Sequence, residues 1–227
     1  MSMCAAGAPI VGAFFDMDHT LLSDSSVTLL VHYMRERGEL SVRQLAHIMS
    51  LTVRHKVGHL DMVETTRAFV RDLAGQSEAD QIAMSKNWFQ EQLIHYVAEE
   101  GRRWVAGHRR LGHRVALITA SPTYTASVLA DHLGIPADDV LATRFEVRNG
   151  LFTGRLVEPM VFGQGKLRAA QVYAARHGLE LSRSYFYTDS IVDLPLLERV
   201  GFPVAVNPDR PLRKLAERLG WRIVCFY

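Results

Sequence analysis

Four short apolar runs constrain the fold of this chain more than any other feature: IVGAFFD (10–16), RVALITA (114–120), SYFYTDS (184–190) and FPVAVN (202–207). Each is rich in β-branched or aromatic residues, is too short for a core helix, and gives way to small or polar residues. Unbroken apolarity of this kind marks a strand buried on both faces. Helix-like stretches separate the later runs: 124–133 before Gly134, 166–177 before Gly178, and 211–219 before Gly220, with each glycine at a C-cap position. Strands alternating with helices predict an α/β fold built on a Rossmann-like, doubly wound parallel sheet.

Residues 24 to 110 break the alternation. No strand-like run occurs there, and the apolar residues fall at helical spacing. Val42, Leu45, Ile48, Met49 and Val53 fall within about 140° of a helical wheel. Ile82, Trp88, Phe89, Leu93, Tyr96 and Val97 recur mostly at three- and four-residue steps. A helical insertion at 24–110, between core segments 1–23 and 111–227, is the simplest organisation. A second feature is RFEVRNGLFTGRLVEP (144–159), two alternating runs around Asn149-Gly150, which is a strong hairpin signal.

Composition excludes several classes. A chain of 227 residues with 48% hydrophobic and 22% charged residues has ample material for one large domain, or for a core carrying an insertion. A net charge of +2 offers no electrostatic footprint for nucleic acid. Cys4 and Cys225 lie far apart in sequence and form no metal or disulfide pattern, as expected in a reducing cytosol. The segment before Asp16 has no basic start and reads as a first core strand, not a signal peptide. No run approaches the ~18 apolar residues of a membrane span. These features predict a soluble cytoplasmic protein.

Ligands of open α/β sheets bind at the carboxyl ends of the strands. The polar residues expected there are Asp16 and Asp18 after the first strand, Thr119 at the end of the second, and Asp189 and Asp193 after the third. Lys166 opens the helix before that third strand. Carboxylates gathered so closely raise one another's pKa unless a cation joins them. All-oxygen ligands that leave room for water suit Mg²⁺. Two carboxylates in different surroundings can hold different protonation states, one serving as nucleophile and the other as proton donor.

Taken together these residues form a known pattern. The chain resembles the haloacid dehalogenase-like phosphohydrolases, and among them the phosphoserine phosphatase-like branch. The first motif, DxDx[TV], matches DMDHT (16–20). The second, a Ser or Thr closing the next strand, matches Thr119 in VALITAS. The third matches Lys166 in FGQGK, and the fourth matches DSIVD (189–193). Any one alone is ordinary, since a DxD pair can be a turn and a lone lysine a helix start. All four, in the family's order and with a hairpin before the lysine, are specific.

The resemblance implies hydrolysis of a small phosphomonoester through an aspartyl-phosphate on Asp16, with Asp18 as general acid and then base. A carboxylate about 3.5 Å from a phosphate dianion is repelled by roughly 9 kcal/mol at an effective dielectric of about 20. Offsetting charge is therefore required. By resemblance, Mg²⁺ would be held by the Asp16 carboxylate, the Asp18 backbone carbonyl and Asp189. Asp193 would orient Lys166 or a metal-bound water, while Thr119, the Ala120 amide and Lys166 would hold the phosphoryl oxygens. The helical insertion corresponds to the family's cap. The carboxylate at position 18 sets the chain apart from the dehalogenases, because halide leaves without a proton.

The chain also departs from the phosphoserine phosphatases. Ser25 stands where they carry a substrate-binding glutamate. Ala120-Ser121-Pro122 replaces the glycines after the second motif. In the fourth motif Thr188 and Val192 replace Gly and Asn. These differences argue against phosphoserine and leave room for an amino-alcohol phosphate such as histidinol phosphate, with Asp61 and Glu64 as acidic residues for a cationic substrate. Basic residues nearby (Arg54, His55, Lys56 and His59) could instead receive a carboxylate or a second phosphate. Transfer of phosphate to an acceptor alcohol, or a phosphate-ester-binding regulatory protein with weak turnover, are the alternatives.

Overall fold

The computed structural model describes residues 10–38 and 62–227. In β1 (Gly12–Phe15) successive side chains point to opposite faces, and both faces are covered. Ala13 and Phe15 belong to one fully buried cluster and Phe14 to another. Full burial of one such side chain is worth about 1.5–3 kcal/mol. A one-residue slip would draw Asp16 into the place of Phe15, so the register that brings Asp16 to the strand's carboxyl end is strongly held.

The other strands are β2 (Arg114–Pro122), β3 (Val140–Arg148), β4 (Leu151–Val157), β5 (Tyr185–Thr188), β6 (Phe202–Val206) and β7 (Arg222–Val224). Among the described residues they form one sheet in the order β4–β3–β2–β1–β5–β6–β7, with β1 in the middle. Every pair is parallel except β3 with β4. The expected doubly wound α/β architecture is present.

The described helices are α1 (Ser26–Glu36), α2 (Met62–Asp72), α3 (Glu78–Glu91), α4 (Glu99–Arg110), α5 (Thr123–Leu133), α6 (Gln164–His177), the short α7 (Leu194–Leu197) and α8 (Arg210–Leu219). Leu29 of α1, Trp88 and Phe89 of α3, Val105 of α4 and Leu129 of α5 pack in the cluster of Phe15, Leu117 and Tyr187. Tyr173 of α6, Leu196 of α7 and Leu212 of α8 pack with Phe14, Ile118 and Phe186 on the other face. α8 shows why such helices begin and end where they do. Asp209 caps its N-terminus by accepting from the Leu212 amide at 2.7 Å, Pro211 fits the first turn, and Gly220 closes it in the left-handed conformation.

β3 exceeds the run that marks it, and β7 has no run of its own. The hairpin around Asn149-Gly150 forms, with φ of 52° and 75° as its tight turn requires. Its first strand, however, begins at Val140 and pairs with β2, so the hairpin extends the main sheet instead of standing apart. β7 has only three residues, too few to stand out from its surroundings.

Helices within 24–110 share packing with the sheet. In α4 the His108 ring meets Phe15 edge-on at 5.8 Å and Trp104 meets Tyr187 at 5.6 Å. Just before α4, the Ala98 amide donates to the Leu21 carbonyl at 2.8 Å. α2 packs Val70 against Phe145 and Phe152 of the hairpin. The apolar pattern at 41–57, together with Cys4, Arg54, His55, Lys56, His59 and Asp61, lies outside the described residues. Glu64 pairs with Arg67 on α2, and Cys225 is exposed. Among the described residues no helix is long and apolar enough to cross a membrane.

His108 gives a testable dependence of stability on pH. Its Nε2 lies 2.7 Å from the Tyr187 hydroxyl and its Nδ1 lies 2.7 Å from Nδ1 of His113. Burial, and then the neighbouring His113, push its pKa down from 6.5 to about 4. The folded state thus holds the ring neutral, while the unfolded chain takes up a proton below pH 6.5. The contribution is complete above that pH and is lost as pH falls towards 4. Between pH 7 and 5 the native chain should lose about 2 kcal/mol more than His108→Gln. Equal losses in urea unfolding of the two proteins would contradict this.

Candidate active site

Asp16 follows the last residue of β1 and prolongs the ladder, its amide donating to the Tyr187 carbonyl at 2.9 Å. The chain then leaves the sheet through the turn Met17–Leu21, where Asp18 is extended and His19 takes a φ of 54°. This non-helical kink sends the two carboxylates apart. Asp16 points into the interior, where its Oδ1 accepts from the Met17 amide at 2.8 Å and from Lys166 Nζ at 2.8 Å. Asp18 is half-buried between the end of β2 and the start of α1. His19 is exposed, and its carbonyl accepts from the Tyr227 hydroxyl at 3.0 Å.

Lys166 is buried in the first turn of α6 because the chain before it folds tightly. A Cβ on Gly165 would lie 1.9 Å from the Met160 carbonyl oxygen, so only glycine permits this approach. The ammonium bridges Asp16 and Asp193, reaching Asp193 Oδ2 at 2.7 Å. Burial alone would lower the lysine's pKa, but the two carboxylates outweigh it and hold the ammonium charged. Thr188, at the end of β5, donates to Asp193 Oδ2 at 2.6 Å and lies 3.3 Å from Asp16 Oδ2. Asp189 comes next, half-buried, with the Thr20 hydroxyl 3.3 Å from its Oδ1. Asp209 clamps this loop, accepting from the Ile191 amide at 3.0 Å and donating its own amide to the Asp189 carbonyl at 2.8 Å.

Thr119 is buried at the edge of the same site. Its Oγ1 accepts from the Ser121 amide at 3.1 Å, which leaves the hydroxyl proton for a ligand oxygen. The β2–β3 register shifts between Thr119 and Pro122, so Ala120 and Ser121 have no ladder partner in β3. Such an irregularity re-aims side chains at a strand end. Here it turns Ser121 towards Asp18.

The electrostatics favour a cation. Burial pushes the Asp16 carboxyl well above the usual carboxylate range despite Lys166, and Asp193 and Asp189 add to the effect. Burial pushes Asp189 up to about 6, although the nearby His19 opposes it. With Asp16, Asp189 and Asp193 ionised against Lys166, two negative charges remain unbalanced. A divalent cation supplies that balance. Among the described residues no cluster of three or more His, Cys, Asp or Glu side chains forms a metal cage. Two carboxylates and a backbone carbonyl instead fit an ion that keeps several waters, as Mg²⁺ does.

The structure therefore brings Asp16, Asp189, Asp193 and Lys166 into one cluster, with Asp18 and Thr119 at its border. Thr188, Thr20, Ser26, Ser121 and Asp209 were not singled out as site residues by the sequence reading. Thr188 was visible beside Asp189, but only as a departure from a motif. Asp209 both caps α8 and holds the Ile191 amide, and the second bond has no local sequence signal.

Comparison with known proteins gives the family. A family model for haloacid dehalogenase-like hydrolase matches residues 13–198. The chain is 34% identical over 215 residues to phosphoserine phosphatase SerB1 of Mycobacterium tuberculosis, covering 93% of this chain and 69% of that protein. It is 27% identical to a histidinol-phosphatase of Neisseria meningitidis, covering 94% and 98% of the two chains. A crystal structure of a Bordetella pertussis protein superposes with a TM-score of 0.88 at 28% identity, covering 97% of this chain and all of the other.

Proposed function

This chain belongs to the haloacid dehalogenase-like hydrolases and is a phosphatase of that family, and from that premise we propose that it hydrolyses a small amino-alcohol phosphate through an aspartyl-phosphate on Asp16. The observation that carries the proposal is the buried Asp16–Lys166–Asp193 assembly with Asp18 beside it. In the first step a carboxylate oxygen of Asp16 attacks phosphorus and the bond from phosphorus to the ester oxygen breaks. Asp18 gives its proton to the departing oxygen, releasing the alcohol. Asp18 then takes a proton from the water that attacks the aspartyl-phosphate, which frees phosphate and restores Asp16.

Lys166 offsets the charge of the incoming phosphoryl group while Asp193 and Thr188 hold the ammonium and its partner in place. The Thr119 hydroxyl and the Ala120 amide are assigned to the phosphoryl oxygens. Mg²⁺ held by the Asp16 carboxylate, the Asp18 carbonyl and Asp189 would supply the remaining neutralisation. The Lys166–Asp193 pair forms with Val192 at the motif's Asn position, which supports turnover over binding alone. A cytoplasmic location, read from the cysteines, belongs to the same proposal.

The substrate class rests on two supports. Ser25 offers no carboxylate where the phosphoserine phosphatases place theirs, and the relatives' names, phosphoserine phosphatase and histidinol-phosphatase, both denote esters that carry an amine. The test is phosphate release from histidinol phosphate, phosphoserine, a simple alkyl phosphate and an aryl phosphate. Amino-alcohol phosphates should exceed phosphoserine in kcat/KM by about tenfold or more, the equivalent of one lost charged contact. Chelation should abolish turnover and Mg²⁺ should restore it. A preference for phosphoserine would overturn the substrate assignment, and full activity in chelator would overturn the metal. Phosphorylated product in the presence of added alcohols would identify a transferase instead.

A further inference from the structure

Asp18 is enclosed by donors that the reaction scheme above does not use. Its Oδ1 accepts from the Ser26 amide at 2.5 Å, and its Oδ2 accepts from the Ser121 hydroxyl at 2.6 Å. The two serine hydroxyls are 3.1 Å apart, and both residues are buried. A serine hydroxyl carries one proton. With Asp18 ionised, Ser121 spends its proton on Oδ2 and can accept from Ser26, which gives the order Ser26 O–H, Ser121 O–H, Asp18 Oδ2. The Ser26 amide closes the ring on the other oxygen.

Three segments meet in this ring, two of them 95 and 103 positions from the third. Asp18 comes from the turn after β1, Ser26 opens α1, and Ser121 stands on the irregular end of β2. Ser25, at the N-cap position of α1, makes no side-chain cap bond, so Asp18 fills that place by accepting from the first helical amide. Ser121 has a second attachment, since its amide donates to the Thr119 hydroxyl at 3.1 Å. It therefore links the residue assigned to phosphate with the residue assigned to the proton.

We propose that Ser121, supported by Ser26, is a positioning residue for proton delivery: it holds the Asp18 carboxyl in the orientation that reaches the leaving oxygen. This deepens the reading of Asp18 as general acid and rests on it. As the ester bond breaks, the proton passes from the Asp18 carboxyl to the departing oxygen, and Asp18 becomes an anion. Hydrogen bonds to a charged acceptor are about twice as strong as those between neutral groups. The bonds from Ser121 and Ser26 thus strengthen as the proton leaves, so they favour the transition state over the bound substrate. An ester whose leaving group departs without a proton gains less from them.

The test compares kcat/KM for an alkyl phosphate and for an aryl phosphate with a nitrophenolate leaving group, using the native chain, Ser121→Ala, Ser26→Ala and Asp18→Asn. Asp18→Asn should lose far more on the alkyl ester than on the aryl ester. Ser121→Ala should move the alkyl-to-aryl ratio the same way, by roughly tenfold to a hundredfold, the range for one hydrogen bond to a charged group. Ser26→Ala keeps the backbone donor and should shift the ratio by about twofold to fivefold. If Ser121→Ala does not fold, as judged by its melting curve, Ser26→Ala carries the same test. Equal losses on both esters, or an unchanged ratio, would assign the serines a purely structural role and overturn the proposal. A native ratio unaltered by Asp18→Asn would instead remove the general acid itself, and the proposal with it.

Discussion

Replacing Asp16 by Asn should abolish phosphate release while leaving the fold as stable as before, or more so. The variant keeps the shape of the side chain but removes the nucleophile, and loss of such a group costs on the order of 10⁴-fold or more. Stability moves differently because the Asp16 carboxylate is charged against its surroundings. Its pKa is raised by burial and by Asp193 and Asp189, so the ionised form is disfavoured in the folded state. A neutral amide removes that cost, and Lys166 retains Asp193 at 2.7 Å. Melting of the metal-free protein should show a midpoint at or above that of the native chain. Phosphate release within tenfold of native would exclude Asp16 as nucleophile, and a large fall in the melting midpoint would contradict the electrostatic account.

Replacing Lys166 by Met should do both kinds of damage. The ammonium is almost fully buried and bridges two carboxylates. Removing one partner of a buried ion pair typically costs about 3–5 kcal/mol, because it leaves charge without compensation. In a domain of this size that corresponds to a fall of about 6–20 °C in melting temperature. Turnover should also collapse, since no ammonium remains to offset the phosphate. A double substitution separates the causes. Asp16→Asn in the Lys166→Met background should recover part of the lost stability, because it removes one of the stranded charges, while activity stays absent. Denaturant unfolding of the four proteins gives the coupling directly, and additive effects would show that the pair is not the source of the loss.

The contrast between these variants reflects how a phosphatase of this kind must be built. A site for a dianion needs positive charge, yet its nucleophile is an anion. Among the described residues the cluster resolves this by burying Lys166 between Asp16 and Asp193 and leaving Asp189 partly open. The negative charge that remains unbalanced is what a divalent cation would offset. Buried like charges of this kind strain the cluster, and the fold around it has to be strong enough to hold them.

Much of this was readable in the chain. The runs that became β1, β2, β5 and β6 stand out because a strand buried on both faces must be apolar throughout. Gly134, Gly178 and Gly220 end their helices because the left-handed C-cap is a local backbone demand, visible without knowing what the helix packs against. Asp16, Asp18, Thr119, Lys166, Asp189 and Asp193 could be picked out by their positions at strand ends and by motif order. β3 was partly hidden because Arg144 interrupts its apolar pattern, and its place beside β2 depends on a pairing that no local pattern encodes.

Local pattern places β1, β2, β5 and β6 along the chain and sets the carboxylates at their ends, because periodicity and capping act over a few residues, while the kind of chemistry follows from motifs whose order resembles the family's. Which groups those carboxylates touch depends on the folded chain. Ser121 reaches Asp18 across 103 positions of chain and Thr188 approaches Asp16 across 172. A hydrogen bond over such a separation exists only once the sheet has set its register and a strand end has turned. Local pattern can place a functional group at a site, but its orientation and charge come from neighbours that folding alone brings within 3 Å.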